Sequence, residues 1–160
     1  MAKPKTYSFS KFIVLLGDGA ATEVFTSICA LTSKGVEFSS DTSDVTGPDC
    51  ANPDLPSWTE RVVRGKSGQI SGNGVMDFAS HTQFYTWFDA GTPKSVQIKL
   101  DAPLADKGGI YQGKFLLTGY NVTGNEDDAK ISHTLTMVSD GPVTWTLAAA
   151  MADEALAEAA

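Results

Sequence analysis

Residues that commonly support catalysis or metal binding are scarce in this sequence. Its 160 residues include two cysteines and two histidines. Cys29 and Cys50 lack the spacing of zinc ligands and have no other His or Cys close by in the sequence. A catalytic nucleophile needs a base that a third group holds in place. Neither histidine has a nucleophile or an orienting group that the sequence pattern places beside it. We therefore predict no metal, no cofactor and no enzymatic activity.

The sequence also has few positively charged residues and no long apolar run. The chain has 12 Lys and Arg residues against 19 Asp and Glu residues, a net charge of −7. Nucleic-acid binding requires a basic face, although an acidic surface is compatible with DNA that slides past without sticking. The apolar run at residues 12–16 is too short for a secretion signal or a membrane span. We expect synthesis in a cytoplasm and no membrane contact.

Apolar alternation and frequent turn residues favour strands over helices. The chain has 15 glycines, and they interrupt runs that alternate with the period of a β-strand. We predict one domain over residues 1–147 that is mainly β, a β-sandwich or partly closed barrel with one flanking α-helix. The predicted strands are residues 7–16, 22–31, 36–39, 58–78, 94–101, 110–123, 130–139 and 143–147.

One helix is predicted between the fourth and fifth of these strands. Ser80 and Gln83 form a capping box at its start, and Gly91 followed by Pro93 marks its end. Its aromatic residues recur at helical spacing and are expected to pack on the sheet: Phe84, Trp87 and Phe88.

The two histidines are expected to have structural roles. His133 falls on the apolar face of a predicted strand, which favours a core histidine over a catalytic one. His81 falls in the first turn of the predicted helix, where a solvated residue is the default.

Three segments lack the pattern of packed structure. Residues 1–8 form a polar N-terminal arm, and residues 148–160 form an alanine-rich tail with little to bury. Residues 40–57 form a long inter-strand loop rich in Asp and Pro, and loops of this length tend to be functional or disordered.

The cysteines leave two alternatives. Cys29 is expected as a small core residue and Cys50 in the long loop, both as free thiols. A disulfide that joins them is the alternative, because extracellular particles tolerate such bonds whereas a cytoplasm does not favour them.

The strand after the long loop has two different faces. Even positions from 68 to 78 carry small or apolar residues, and the odd positions carry uncharged polar residues over most of that length. The polar residues are Ser67, Gln69, Ser71 and Asn73.

An ordered set of motifs resembles the major tail tube proteins of siphophages and of phage-like gene transfer agents. These motifs are the opening strand and turn at 11–19, the Trp-Thr-Glu-Arg end of the long loop at 58–61, residues 69–77 and residues 119–124. The most specific is Asp-Gly-Pro-Val-Thr-Trp at 140–145, which is similar to the ending common in that family. The resemblance covers residues 8–147.

This resemblance implies a structural subunit of a virion or phage-like particle tail, made in the cytoplasm of a bacterial host. Six-fold rings would stack into a hollow tube through which DNA passes without sequence-specific binding. The tape measure protein, tail terminator and baseplate or distal tail proteins would be further partners. The arm and long loop would contact the next ring, with these candidates: Lys3, Lys5, Asp41, Asp44, Asp49, Asp54, Trp58, Arg61 and Arg64.

The same resemblance makes the polar strand face a candidate for the lumen wall. Its residues would be Ser67, Gln69, Ser71 and Asn73, and the opposite assignment, to the outer surface, stays open. Rival functions are a tube protein of a contractile tail or type VI secretion system, and a small β-sandwich binding module. A binding module needs an exposed aromatic platform, and Trp58, Trp87 and Trp145 are not predicted to share one surface.

Overall fold

The computed structural model describes residues 3–28, 31–48, 50–52, 54–124 and 130–148. Within these residues one α-helix, α1 (Phe78–Ala90), accompanies short 3-10 turns at Phe9–Lys11 and Leu104–Asp106. The strands, in chain order, are β1 (Phe12–Gly17), β2 (Phe25–Ser27), β3 (Leu31–Asp44), β4 (Arg61–Val75), β5 (Lys94–Leu100), β6 (Gly109–Thr123), β7 (Ser132–Ser139) and β8 (Thr144–Leu147).

All eight strands belong to one antiparallel sheet. Its order is β2-β1-β5-β6-β7-β4-β3, and β8 pairs with β6. β7 pairs with the second half of β6 and β8 with its first four residues, so β8 follows β7 along the same side of that strand. The prediction of a mainly β fold with one flanking helix is confirmed, and the sheet is open rather than a closed barrel.

Strand boundaries differ most from prediction around the long loop. β3 runs to Asp44 and β4 begins at Arg61, so the connection is residues 45–60 instead of 40–57. The last residues of β3 are polar on both sides, because neither side is covered by other parts of the fold. Without a buried side there is no apolar alternation, which is why the sequence pattern ended this strand too early. Among the described residues of the predicted 22–31 strand, which exclude 29 and 30, β2 and the first residue of β3 are in strands.

The N-cap of helix α1 lies three residues before the predicted cap, Ser80. Asp77 is the N-cap, with extended backbone at φ −109° and ψ 162°. Its Oδ1 accepts a hydrogen bond from the backbone N–H of Ser80 at 2.6 Å, so Ser80 is inside the first turn. Hydrogen bonds from the side chain and backbone of Ser80 lower the pKa of the Asp77 carboxyl. The predicted end is confirmed, because Gly91 adopts the left-handed conformation at φ 58° that favours glycine.

The core lies between α1 and one face of the sheet. Phe84 and Trp87 are buried, and the Trp87 indole donates a hydrogen bond to the carbonyl of Thr92 at 2.7 Å. Phe88, which was predicted on the same face, is about half exposed. The sheet supplies the remaining buried core residues: Val14, Leu16, Leu31, Ile70, Val96, Ile98, Phe115, Leu117, Leu135 and Met137.

Truncation of a core leucine tests this packing. We expect Leu135→Ala to lower the free energy of unfolding by about 2–5 kcal/mol, because it removes a fully buried side chain and leaves a cavity. The matched Leu104→Ala variant, at an exposed position, should change it by less than about 0.5 kcal/mol. Urea denaturation of dilute subunit measures both values, and equal losses in the two variants would contradict the assignment of the core.

Candidate assembly surfaces

The polar face of β4 forms as predicted. Ser67, Gln69, Ser71 and Asn73 are all exposed, and the residues between them are buried. Alternation along the strand therefore places these four side chains on one face of the sheet, opposite the core. The register continues this face onto neighbouring strands with these polar residues: Ser33, Ser39, Thr134, Thr136, Gln97 and Gln112.

Half of the β3–β4 hairpin has no other strand beside it. β7 pairs with β4 only from Gln69 onwards, so residues 61–68 of β4 pair only with β3 among the described strands. We call residues 39–67 the projecting hairpin. Its described residues are exposed with the single exception of Ser43, and five are large and apolar: Val45, Leu55, Trp58, Val62 and Val63.

Outside the projecting hairpin, the polar face carries little charge. The register assigns it three charged strand residues: Glu37, Lys99 and Lys114. Glu37 is one of 19 acidic residues in the chain, so most of the acidic residues lie elsewhere. This face is nearly neutral, and it offers DNA phosphates few cations to bind.

The base of the connection within the hairpin is held by local hydrogen bonds. Val45 donates its backbone N–H to the carbonyl of Glu60 at 2.9 Å, and Glu60 donates to Thr46 Oγ1 at 3.0 Å. Asp44 and Arg61, two of the candidate contact residues, meet in an exposed ion pair of 3.1 Å. An exposed pair of this kind adds little to stability, which leaves both groups available to a partner.

The remaining candidates of this region are placed as follows. Asp41 and Arg64 lie on the arms of the projecting hairpin, and Asp54 and Trp58 lie in its connection. Trp58 is 94% exposed. Asp49 lies outside the described residues.

The N-terminal arm is bonded to its own subunit. Lys5 forms an ion pair with Asp106 at 2.8 Å, and the Tyr7 hydroxyl donates to the carbonyl of Asp106 at 2.6 Å. The hydrogen bond and charge of Asp106 raise the pKa of Lys5. Lys3, by contrast, is an exposed residue to which the structure assigns no ion pair.

A second ion-paired group lies at the base of the arm. Lys11 contacts the Asp101 carboxylate at 3.0 Å, and Lys99 contacts its other oxygen at 3.4 Å. Hydrogen bonds from Lys11 and Lys99 lower the pKa of Asp101. These contacts fix the arm against the β5–β6 connection.

The arm and the projecting hairpin leave the sheet at the same end. Phe12 pairs with Leu100, and Leu100 pairs with Gly109, so the arm enters beside the start of β6. β4 runs in the same direction as β6, because both are antiparallel to β7. The start of β4 at Arg61 therefore also points to this end.

An aromatic groove was not predicted. Tyr111 packs against Phe38 with ring centroids 5.2 Å apart and against Trp145 at 4.3 Å. The groove has a volume of about 620 Å³ and runs between the projecting hairpin and β8. Alternation in β6 places Tyr111 on the core face, but the distant residues Phe38 and Trp145 join it only through the strand register.

The sequence left open whether the two cysteines are free thiols or form a disulfide. Cys50 is a free, exposed thiol in this structure, and Cys29 lies outside the described residues. A disulfide between them therefore stays a prediction about oxidising surroundings. Residues 149–160 of the alanine-rich tail also lie outside the described part of the chain.

Two further findings concern other classes of site. No group of three or more His, Cys, Asp or Glu side chains that could hold a metal ion occurs within the described residues. None of the helices in that same part of the chain is long and apolar enough to cross a membrane.

A sequence model of phage tail tube proteins matches residues 6–145. The chain belongs to the phage tail tube protein family. It is a tail tube subunit, as the resemblance implied. No curated protein sequence matches it.

Solved structures share the fold of this tail tube protein. A chain from the tail of an empty gene transfer agent particle with C6 symmetry is 25% identical, with a TM-score of 0.72, over 88% of this chain and 99% of its own. A chain from the virion of a native gene transfer agent particle is 24% identical, with a TM-score of 0.70 and the same coverage. The SPP1 tail tube protein is 9% identical, with a TM-score of 0.62, over 89% of this chain and 80% of its own.

The exposure of Trp58 predicts that it contributes nothing to the stability of the free subunit. We expect Trp58→Ala to change the free energy of unfolding by less than about 0.5 kcal/mol. The matched Trp87→Ala variant should lose about 3–5 kcal/mol, because Trp87 is buried under α1. Urea denaturation compares the two, and a loss at Trp58 as large as that at Trp87 would show that the hairpin packs within the subunit.

Proposed function

We propose that six copies of this subunit form a ring and that the rings stack into a hollow, non-catalytic tube that conducts DNA. The observation that carries this proposal is the open sheet, which buries one face under α1 and leaves on the other an exposed, nearly uncharged row of polar side chains. The gene transfer agent tail with C6 symmetry contains a chain of the same fold, which supports six-fold rings.

The edges of the sheet support association between subunits. β3 is an edge strand of 14 residues, and β2 at the other edge has three. A long edge strand exposes unpaired backbone N–H and C=O groups, which invite pairing with another chain. Joining the sheets of neighbouring subunits would satisfy these groups and produce a continuous wall.

The direction of the arm and projecting hairpin supports stacking. Both leave the sheet at one end, so a ring of such subunits would present all its arms and hairpins toward the next ring. Apolar side chains on the hairpin, Trp58 above all, would be buried there. In this proposal the contact residues are the candidates at Lys3, Asp41, Asp44, Asp49, Asp54, Trp58, Arg61 and Arg64, whereas Lys5 first has to leave Asp106.

The polar face is proposed as the lumen wall. Ser67, Gln69, Ser71 and Asn73 present hydroxyl and amide groups that stay hydrated and carry no charge. DNA would pass such a wall without being trapped, because binding phosphates requires fixed cations. The tape measure protein would occupy the same lumen before DNA, and the terminator and baseplate or distal tail proteins would close the two ends.

We propose a tail of the non-contractile kind. The Asp-Gly-Pro-Val-Thr-Trp ending at residues 140–145 favours it over a contractile tail or a type VI secretion tube. Tails purified from the source particle are then expected to lack an outer sheath in electron micrographs.

Negative-stain electron microscopy over a range of concentrations tests ring and tube formation. We expect hollow six-fold rings or tubes from the wild type. Trp58→Ala should raise the concentration needed for assembly by at least about tenfold, since a well-packed interface tryptophan contributes on the order of 2 kcal/mol or more. Tyr85→Ala removes an aromatic ring from an exposed position on α1 and should leave assembly unchanged. Equal effects of both variants would argue against a stacking role for the hairpin.

Thiol labelling tests which face lines the lumen. In a background with Cys29→Ser and Cys50→Ser, the added thiols of Ser71→Cys and Tyr85→Cys lie on opposite sides of the sheet. We expect a bulky maleimide to label both in dissociated subunits but only the Tyr85→Cys thiol in assembled tubes, because the reagent enters a lumen slowly. The reverse pattern would place the polar face on the outer surface.

A further inference from the structure

One polar side chain is buried in the core beneath helix α1. His133 lies on β7 and pairs with Gly74 of β4 and Val122 of β6. It is 1% exposed, and no other polar or charged side chain among the described residues is buried. A core histidine was predicted here from the alternation of the strand, and the structure confirms it.

The imidazole of His133 is surrounded by rings and has no polar partner. Its centroid lies 5.9 Å from that of Phe84 on α1 and 6.3 Å from that of Tyr120 on β6. Neither ring nitrogen has a hydrogen-bond partner within the described part of the chain. A buried neutral imidazole without partners already costs free energy, and a buried imidazolium costs considerably more.

The nearest titratable groups are bonded to other atoms. The Tyr120 hydroxyl is 2.9 Å from Nδ1 of His81 on α1 and donates to Met76 Sδ at 3.7 Å. Asp77, the N-cap of α1, accepts its hydrogen bond from Ser80. Neither group forms a hydrogen bond to His133 in the folded subunit.

The surrounding charges also leave the buried imidazolium poorly compensated. Burial lowers the pKa of His133, and the charge of Asp77 opposes this only partly. Lys130 lines the same surface depression as His133, of about 410 Å³, but it is an exposed cation and offers no compensating negative charge. From β4, the cross-strand neighbour is Gly74, which has no side chain to compensate the charge.

We propose that His133 makes the docking of α1 on the sheet dependent on pH, so that acid loosens the helix. The neutral imidazole fits between Phe84 and Tyr120, whereas the imidazolium does not. The folded state takes up a proton less readily than the unfolded state, whose histidine titrates near pH 6.5. Stability is therefore fully present above about pH 6.5 and falls as the pH decreases through and below that value.

The two histidines of the chain allow a clean test. Between pH 7.5 and 5 the carboxylates remain mostly ionised, so histidine dominates proton uptake. His133→Leu removes the titrating group and retains an apolar side chain, and His81→Gln serves as the matched control at the other histidine. Hydrogen exchange of Phe78–Ala90, corrected for the intrinsic pH dependence of exchange, reports the opening of α1. Urea denaturation of the same full-length variants at each pH reports global stability.

We expect the equilibrium constant for opening of α1 in the wild type to rise below pH 6.5, by at most about tenfold per pH unit for one proton. The His81→Gln variant should show the same rise, and His133→Leu should show none. If His133→Leu does not fold at pH 7.5, His133→Gln, which also cannot titrate, should give the flat profile.

Three results would overturn the proposal. They are a flat wild-type profile, a rise that persists without His133, and loss of protection in β6 and β7 before α1. These measurements use unassembled subunits and do not depend on ring or tube formation.

Discussion

Everything else in this subunit depends on how a single helix covers one face of a single sheet. Eight strands present two faces, but the described chain has one helix of 13 residues to cover them. Phe84 and Trp87 anchor that helix, and the large side chains of the sheet fill the rest of the covered face. The second face has no layer of its own and must be compatible with water.

Glycines on β4 allow side chains of the neighbouring strand β3 to cover part of the core face, so that a short helix is enough to cover the rest. Phe38 on β3 lies over Gly68, where an added Cβ would approach its ring to 3.3 Å. Leu31 lies over Gly72 in the same way, again at 3.3 Å. These glycines leave room for side chains of the edge strand to lie across β4, Leu31 in the core and Phe38 against Tyr111. β3 itself therefore covers part of the face that α1 does not reach. The aromatic groove begins beside Phe38 and Gly68, which line it.

The parts predicted well from the sequence are those in which one face is buried. Alternation in β5, β6 and β7 reflects burial on one side, and it located these strands to within two residues. Gly91 ended α1 as predicted because its left-handed conformation is a local requirement. His133 was placed in the core for the same reason as its apolar neighbours on β7, by its position in the alternation.

Elements that depend on distant parts of the chain were predicted poorly. The last third of β3 pairs with distant residues of β4, from Lys66 opposite Ser40 to Arg61 opposite Asp44, and no local sequence pattern indicates this pairing. The helix cap was assigned to Ser80 because Gln83 completes a capping motif. The actual cap is Asp77, whose carboxylate accepts the backbone N–H of Ser80. The contacts of Lys5 with Asp106 and of Phe38 with Tyr111 arise only from topology.

The direction of the strands has a consequence for protein engineering. β1 starts and β8 finishes at the end of the sheet from which the hairpin projects, since Phe12 lies beside Leu100 and Leu147 beside Gly109. A fluorescent domain or affinity tag fused before residue 3 or after residue 148 would therefore emerge beside the hairpin in either case. The turn between α1 and β5 at residues 91–93 is exposed, and it lies at the opposite end of the sheet, where β5 begins. It is the better place to insert cargo that must not crowd that end.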